Sequence, residues 1–269
     1  MKYKIIVLDL DGTLTNSKKE VSKNTKDALI DIQERGYKVA IASGRPTSGV
    51  TKIAEELNLS KYGGYMLSYN GAKITDCRTG EVVFNKTLPQ SSIAYIYNIA
   101  KETNVGVISY DTGKVISGNG INDYIELESR INGLEILETD DFIGYIDYPV
   151  NKCLMAGDHE TLEIAKTKLE KKYNGLLSIY YSEPFFLEIM PQNVDKAQSL
   201  LTLLNTIGID SDEMICCGDG FNDISMIEVA GLGIAMENAQ DIVKSSADYI
   251  TLSNDDEGIL HVINKFMND

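Results

Sequence analysis

Two carboxylates stand one residue apart in Leu8-Asp-Leu-Asp-Gly-Thr-Leu14. Ahead of them Ile5, Ile6, Val7 and Leu8 make a short unbroken apolar run, the pattern of a parallel strand buried on both faces. Side chains alternate along a strand, so this reading points Asp9 and Asp11 one way and Leu10 the other. Like charges that close raise each other's proton affinity, and a fold tolerates them where a cation or a hydrogen-bond donor compensates. Taken alone, the same residues also fit a surface turn, because Asp-Gly is a common turn dipeptide. What else gathers at that end of the strand decides between the two.

In open α/β sheets ligands lie at the carboxyl ends of the strands. Those ends carry Ser43-Gly44-Arg45, Asn70-Gly71 and Gly218-Asp-Gly-Phe-Asn-Asp223. Acids there need a cation, and an oxygen-only set of Asp9, Asp219 and the backbone carbonyl of Asp11 suits Mg²⁺. A phosphate would draw on the Ser43 hydroxyl, Gly44 and the helix start beyond them. Lys196, at the first turn of its own helix, offers a positive charge. Plainer roles stand beside these: Ser43 as a helix N-cap, Lys196 as a solvated lysine, Arg45 as either a substrate contact or a surface salt bridge. His159 and His261 lack metal-ligand spacing, so acid and base chemistry falls to carboxylates.

The elements that must hold these residues alternate at both ends of the chain. Ser22 caps a predicted helix whose face carries Ala28, Leu29 and Ile32. A strand over Tyr37–Ser43, a helix over Thr47–Leu57 and a strand over Tyr65–Tyr69 follow. This βαβαβ order implies a parallel sheet. Past Pro191 the alternation returns, with a helix over Val194–Thr206, a strand over Met214–Cys217, a helix over Asp223–Ala230 and strands over Leu232–Ala235 and Tyr249–Leu252. Between the two ends, a hairpin around Arg78-Thr-Gly80, a helix near Ile93–Ala100 and short strands read as a separate α+β block. The expected architecture is an α/β, Rossmann-like doubly wound parallel core of residues 1–82 and 189–269, with an α+β domain of residues 83–188 inserted into it.

The 269 residues carry 40 acids against 25 basic residues, a net charge of −15. That balance argues against nucleic acid, whose binding draws on clustered Lys and Arg. No apolar run reaches the ~18 residues of a membrane span, and Met1-Lys2-Tyr3-Lys4 leads into a strand. The expectation is a soluble cytoplasmic protein, a monomer or weak homo-oligomer without a membrane partner. Cys77, Cys153, Cys216 and Cys217 show no paired spacing and read as reduced, packed thiols.

Asp-x-Asp-Gly-Thr at 9–13, Ala-Ser-Gly-Arg at 42–45, Lys196, and Gly-Asp-x-x-Asn-Asp at 218–223 resemble, in that order, the four motifs of the haloacid dehalogenase-like hydrolases. Tyr69-Asn-Gly-Ala72, Phe186-Leu-Glu-Ile189, Gly233-Ile-Ala-Met-Glu-Asn-Ala239 and Asp256-Glu-Gly258 are similar to its Cof-type subfamily of sugar-phosphate phosphatases. One departure is Ala197, where the subfamily usually has Gly after the lysine. The resemblance implies a Mg²⁺-dependent phosphatase acting on a small phosphorylated metabolite. It implies Asp9 as nucleophile forming an aspartyl-phosphate, and Asp11 as acid to the leaving alcohol and then base to water. Asp9, Asp11 and Asp219 would hold the metal, Lys196 would neutralise charge, and Leu10, Ser43, Gly44, Arg45, Asn70 and Asn222 would meet phosphate or substrate. Asp223 and Thr13 would support them from behind. The inserted block resembles the larger cap type that closes over the active site and chooses the sugar. A phosphotransferase or mutase shares every one of these motifs; a sugar-phosphate-binding regulator would have no use for the second acid beside the nucleophile.

Overall fold

The computed structural model describes residues 2–268. It divides into two compact units, one built from the chain up to Phe84 and from Asp195 onward, the other from Asn85–Val194.

The first unit starts with five strands, β1 (Ile5–Leu8), β2 (Lys38–Ala42), β3 (Tyr65–Ser68), β4 (Lys73–Asp76) and β5 (Val82–Asn85). The second unit contributes β6 (Gly106–Asp111), β7 (Lys114–Ser117), β8 (Glu135–Glu138), β9 (Cys153–Ala156), β10 (Leu177–Glu183) and β11 (Phe186–Pro191). The chain then completes the first with β12 (Met214–Gly218), β13 (Leu232–Ala235) and β14 (Tyr249–Ile250).

The first sheet runs β14-β13-β12-β1-β2-β3-β4-β5. From β3 to β14 every neighbouring pair is parallel, and β3 with β4 is antiparallel. In chain order the six parallel strands lie 3-2-1-4-5-6, the doubly wound arrangement whose order reverses between β1 and β12. A crevice for ligands is expected at the carboxyl ends of those two strands, where Asp9 and Asp219 stand.

Burial on both faces explains the apolar runs. Ile6 and Leu8 join one core with Leu29, Ile32, Val50 and Val262. Ile5 and Val7 join another with Leu200, Leu203 and Met226. Each such fully buried side chain contributes about 1.5–3 kcal/mol. The helix Lys196–Ile207 starts on Asp195, whose side chain accepts from the Gln198 amide, and stops at Gly208.

The second unit is α+β: its sheet runs β10-β11-β9-β6-β7-β8, antiparallel except for β7 with β8. Ile93, Ile96, Leu162 and Leu169 from two helices pack with Val107, Cys153 and Leu187 on the sheet. The insertion expected over 83–188 ends instead at Val194. Phe186–Pro191 pairs with β10 and β9, so position 188 falls inside a strand and the junction lies beyond it. Asn122 caps the helix Asp123–Asn132, Asn119 donates to backbone carbonyls, and Glu188 pairs with Lys152 at 3.2 Å. No helix among the described residues is long and apolar enough to cross a membrane, and the four cysteines are free.

Candidate active site

The strand β1 ends at Leu8, one residue before the first carboxylate. The Asp9 amide still donates to the Cys217 carbonyl at 3.0 Å, but the chain then folds into a tight loop in which Leu14 donates to Asp9 and Thr15 to Leu10. Asp9 turns to Lys196, Asp11 turns to Arg45 and Lys19, and Leu10 is buried in the core. Among the described residues, the two carboxylates accept side-chain hydrogen bonds from different cations.

Around Asp9 the charges are close and enclosed. The Lys196 ammonium donates to Asp9 Oδ1 at 2.7 Å and to Asp223 Oδ1 at 2.6 Å, and is 1% exposed, which excludes the solvated-lysine role. Asp223 Oδ2 accepts from the amides of Asp219 and Gly220 at 3.0 and 2.9 Å, tying the loop after β12 to the lysine. The Thr13 hydroxyl donates to Asp219 Oδ1 at 2.7 Å.

Asp9, Asp219 and Asp223 can each offer a carboxylate oxygen within 4.8 Å of the others. Burial, then the charges of Asp223 and Asp219, push the Asp9 carboxyl up to about 8 against the pull of Lys196. Burial likewise lifts Asp219, to about 6. Burial works against the Lys196 ammonium, but Asp223 and Asp9 outweigh it and raise its affinity for the proton. One lysine leaves three carboxylates short of positive charge. An oxygen-only donor set in that condition fits a hard divalent cation such as Mg²⁺. The side-chain set is Asp9, Asp219 and Asp223; Asp11 has only its backbone carbonyl to offer, since its carboxylate is engaged elsewhere.

Asp11 sits in a second cluster. Arg45 Nε donates to Oδ2 at 2.7 Å and a terminal guanidinium nitrogen to Oδ1 at 2.6 Å, with Lys19 Nζ on Oδ1 at 2.8 Å. Burial alone would raise this carboxyl; the Arg45 and Lys19 bonds outweigh it and hold it below the usual range. Arg45, expected as a substrate contact or a surface salt bridge, directs its fork to Asp11 with its side chain only 14% exposed.

A third group collects Ser43, Asn70 and Asn222. The Ser43 hydroxyl accepts from the Arg45 amide at 3.1 Å, so it does not cap the helix Thr47–Glu56, whose N-cap is Pro46. Asn70 N donates to the Ser43 carbonyl, and Asn222 Nδ2 donates to Asn70 Oδ1 at 3.0 Å. Tyr69 and Asn70 both adopt the left-handed region, at φ 53° and 54°. For a residue as bulky as tyrosine that costs about 1–3 kcal/mol, a strain that persists where surrounding bonds dictate the turn. Here they do: Tyr69 N donates to the Arg45 carbonyl, and the Gly71 carbonyl accepts from Ser199. Lys19, Asn238 and the Asp195–Ser225 bond were not read as site residues. Asn238 lay inside the Gly233–Ala239 motif and donates to the Gly12 carbonyl; Lys19 and Ser225 carry no signal before the chain folds.

The arrangement offers an enclosed carboxylate beside an ammonium, a metal-fitting acid cluster, a carboxylate clasped by Arg45 and Lys19, and a polar group of Ser43, Asn70 and Asn222. Comparisons with known proteins agree with it. The sequence model of one family, described as haloacid dehalogenase-like hydrolase, matches residues 6–263. The crystal structure of a haloacid dehalogenase-like hydrolase from Bacteroides thetaiotaomicron superposes with a TM-score of 0.96 at 44% identity, covering 98% of this chain and 99% of that one. The 5-amino-6-(5-phospho-D-ribitylamino)uracil phosphatase YcsE of Bacillus subtilis is 31% identical over 97% of this chain and 94% of its own. Phosphatase YwpJ of the same organism is 29% identical over 97% and 98%.

Proposed function

The chain belongs to the haloacid dehalogenase-like hydrolases and is a phosphatase, and from that premise we propose that it hydrolyses small phosphorylated metabolites, sugar phosphates foremost, through a phosphoryl group carried on Asp9. The observation that carries this reading is the Asp9 carboxylate, enclosed, 2.7 Å from the Lys196 ammonium and grouped with Asp219 and Asp223.

An Asp9 oxygen attacks phosphorus in line as the ester oxygen departs, forming the acyl phosphate. Asp9, Asp219, Asp223 and the Asp11 carbonyl would hold a Mg²⁺ ion, which would supply positive charge against the repulsion between carboxylate and phosphate dianion. Lys196, already 2.7 Å from Asp9, neutralises charge on the transferring group. Ser43 keeps its hydroxyl proton to donate, and with the Gly44 and Leu10 amides, Asn70 and Asn222 it holds phosphate oxygens. Asp11 must leave its Arg45 and Lys19 bonds and bind a proton before it can give one to the departing alkoxide; it then takes one from the water that opens the acyl phosphate, so the enzyme returns to its starting state. Selection of the sugar falls to the inserted unit.

The test is phosphate release from a panel of sugar phosphates, with Mg²⁺ or with EDTA, for the wild type and Asp9→Asn. Release that needs Mg²⁺ and falls by roughly a thousandfold or more in the variant is expected. No release from any member, despite Mg²⁺-dependent binding, would overturn hydrolysis in favour of transfer or regulation.

A further inference from the structure

We propose that Ser225 is a positioning residue that acts through Asp195 on Lys196: its hydroxyl ties the start of the lysine's helix to the start of the helix after Asp223, and so sets where the ammonium meets the phosphoryl group. Ser225 lies outside every motif read from the sequence. The inference rests on the phosphatase reading above, because it assigns Ser225 a part in the charge neutralisation which that reading gives to Lys196.

Lys196 is the first residue of its helix, so the reach of its ammonium follows from where that helix starts. Asp195, the residue before it, is the N-cap, and a cap needs only one side-chain oxygen: Oδ1 accepts from the Gln198 amide at 3.1 Å. Oδ2 is spent elsewhere, accepting from the Ser225 hydroxyl at 2.6 Å in a charge-assisted bond. Ser225 lies in the first turn of the helix Ile224–Val229, just past Asp223. The starts of the two helices are therefore joined twice, by Lys196 to Asp223 and by Ser225 to Asp195, each at 2.6 Å. One bond would let the helices pivot about it; a second fixes direction as well as distance. Both sides of the clamp are anchored. Asp223 Oδ2 accepts from the Asp219 and Gly220 amides, and Ser199 Oγ, on the lysine's helix, donates to the Gly71 carbonyl at 2.8 Å. A lysine is a point charge on a flexible stem and sets no direction of its own. The clamp supplies that direction, and the ammonium so placed stands 2.7 Å from Asp9.

Acting through Lys196, Ser225 should matter more to the transition state than to the bound ground state. The probes are a phosphate ester that the wild type hydrolyses, read for kcat and KM, and two inhibitors. Orthovanadate takes up the trigonal-bipyramidal geometry of phosphoryl transfer; inorganic phosphate is tetrahedral. For Ser225→Ala we expect kcat to fall about tenfold and the vanadate inhibition constant to rise by about the same factor, while KM and the phosphate constant move by less than about threefold. Ser225→Thr, which keeps the hydroxyl, returns each value to within about twofold of the wild type. Asp195→Ser keeps a capping oxygen but loses the one that meets Ser225, so it reproduces the Ser225→Ala loss and carries the test if that variant does not fold. In the double variant the two losses do not add. An unchanged kcat in Ser225→Ala, an equal loss in all the constants, no rescue by threonine, or an additive double variant would each overturn the proposal. A wild type that releases no phosphate from any ester in Mg²⁺ would overturn the phosphatase reading itself, and this inference with it.

Discussion

Gly12 shows how tightly two distant loops meet. A Cβ there would lie 2.4 Å from Asp219 Oδ2, and the residue sits at φ 83°, where side chains are strained. The glycine lets the loop after β1 press against the loop after β12, so that Thr13 can reach Asp219 and Asn238 can hold the Gly12 carbonyl. Gly12→Ala must displace the Asp219 carboxylate. The Mg²⁺ concentration for half-maximal phosphate release is expected to rise about 10- to 100-fold, the size of effect seen when a ligand's support is lost. A magnesium titration of the variant checks this, and an unchanged requirement would mean that Asp219 does not depend on the contact. At this scale the gathering of Asp9, Asp219 and Lys196 was legible, two of them from strand-end positions and the lysine from the first turn of its helix. The direction of Asp11 was not, since it depends on Arg45, 34 positions away.

Whole elements were read well where apolar periodicity was long. The helix expected over Thr47–Leu57 spans Thr47–Glu56, and the one expected over Val194–Thr206 spans Lys196–Ile207. Errors gathered at strand ends, where the reading gave Tyr37–Ser43 for a strand that spans Lys38–Ala42 and carried the last strand to Leu252 although it stops at Ile250. Loops that carry no period were silent, yet one of them clasps the start of the first helix. Glu257, the residue before the helix Gly258–Phe266, accepts from the Ser22 and Thr25 hydroxyls, each at 2.6 Å. Burial by itself raises the Glu257 carboxyl; those hydroxyls and the Asn24 amide outweigh it and hold it below its ordinary 4.5. A depressed folded value means the clasp stabilises above the unfolded value and is lost as pH falls through the folded one. Glu257→Gln should therefore melt lower than the wild type near neutral pH, with the gap closing below about pH 4.5. Thermal unfolding of both proteins from about pH 7 to about pH 3 measures it, and a gap independent of pH would assign the clasp's stability to something other than the charge.

Across the molecule the net charge of −15 repels the anionic substrates proposed for it. Screening this field with salt should raise kcat/KM for a sugar phosphate modestly, by about two- to threefold between low and physiological ionic strength, while kcat stays level. A flat profile would show that the local field of the site, with its lysine and metal, controls capture. The sequence by itself determined the architecture: alternating ends that close one parallel sheet, an α+β block between them, and polar residues at the carboxyl ends of its strands. These follow from local periodicity and from the rule that buried strands must be apolar, both of which are written in order along the chain. Only the tertiary structure decided which charges pair. It gave Asp9 to Lys196, Asp11 to Arg45 and Asp219 to Thr13, and it moved the domain junction beyond β11. Electrostatic partners are chosen by distances of a few ångströms between residues up to 206 positions apart, and no local pattern encodes such a distance until the sheet has brought its edges together.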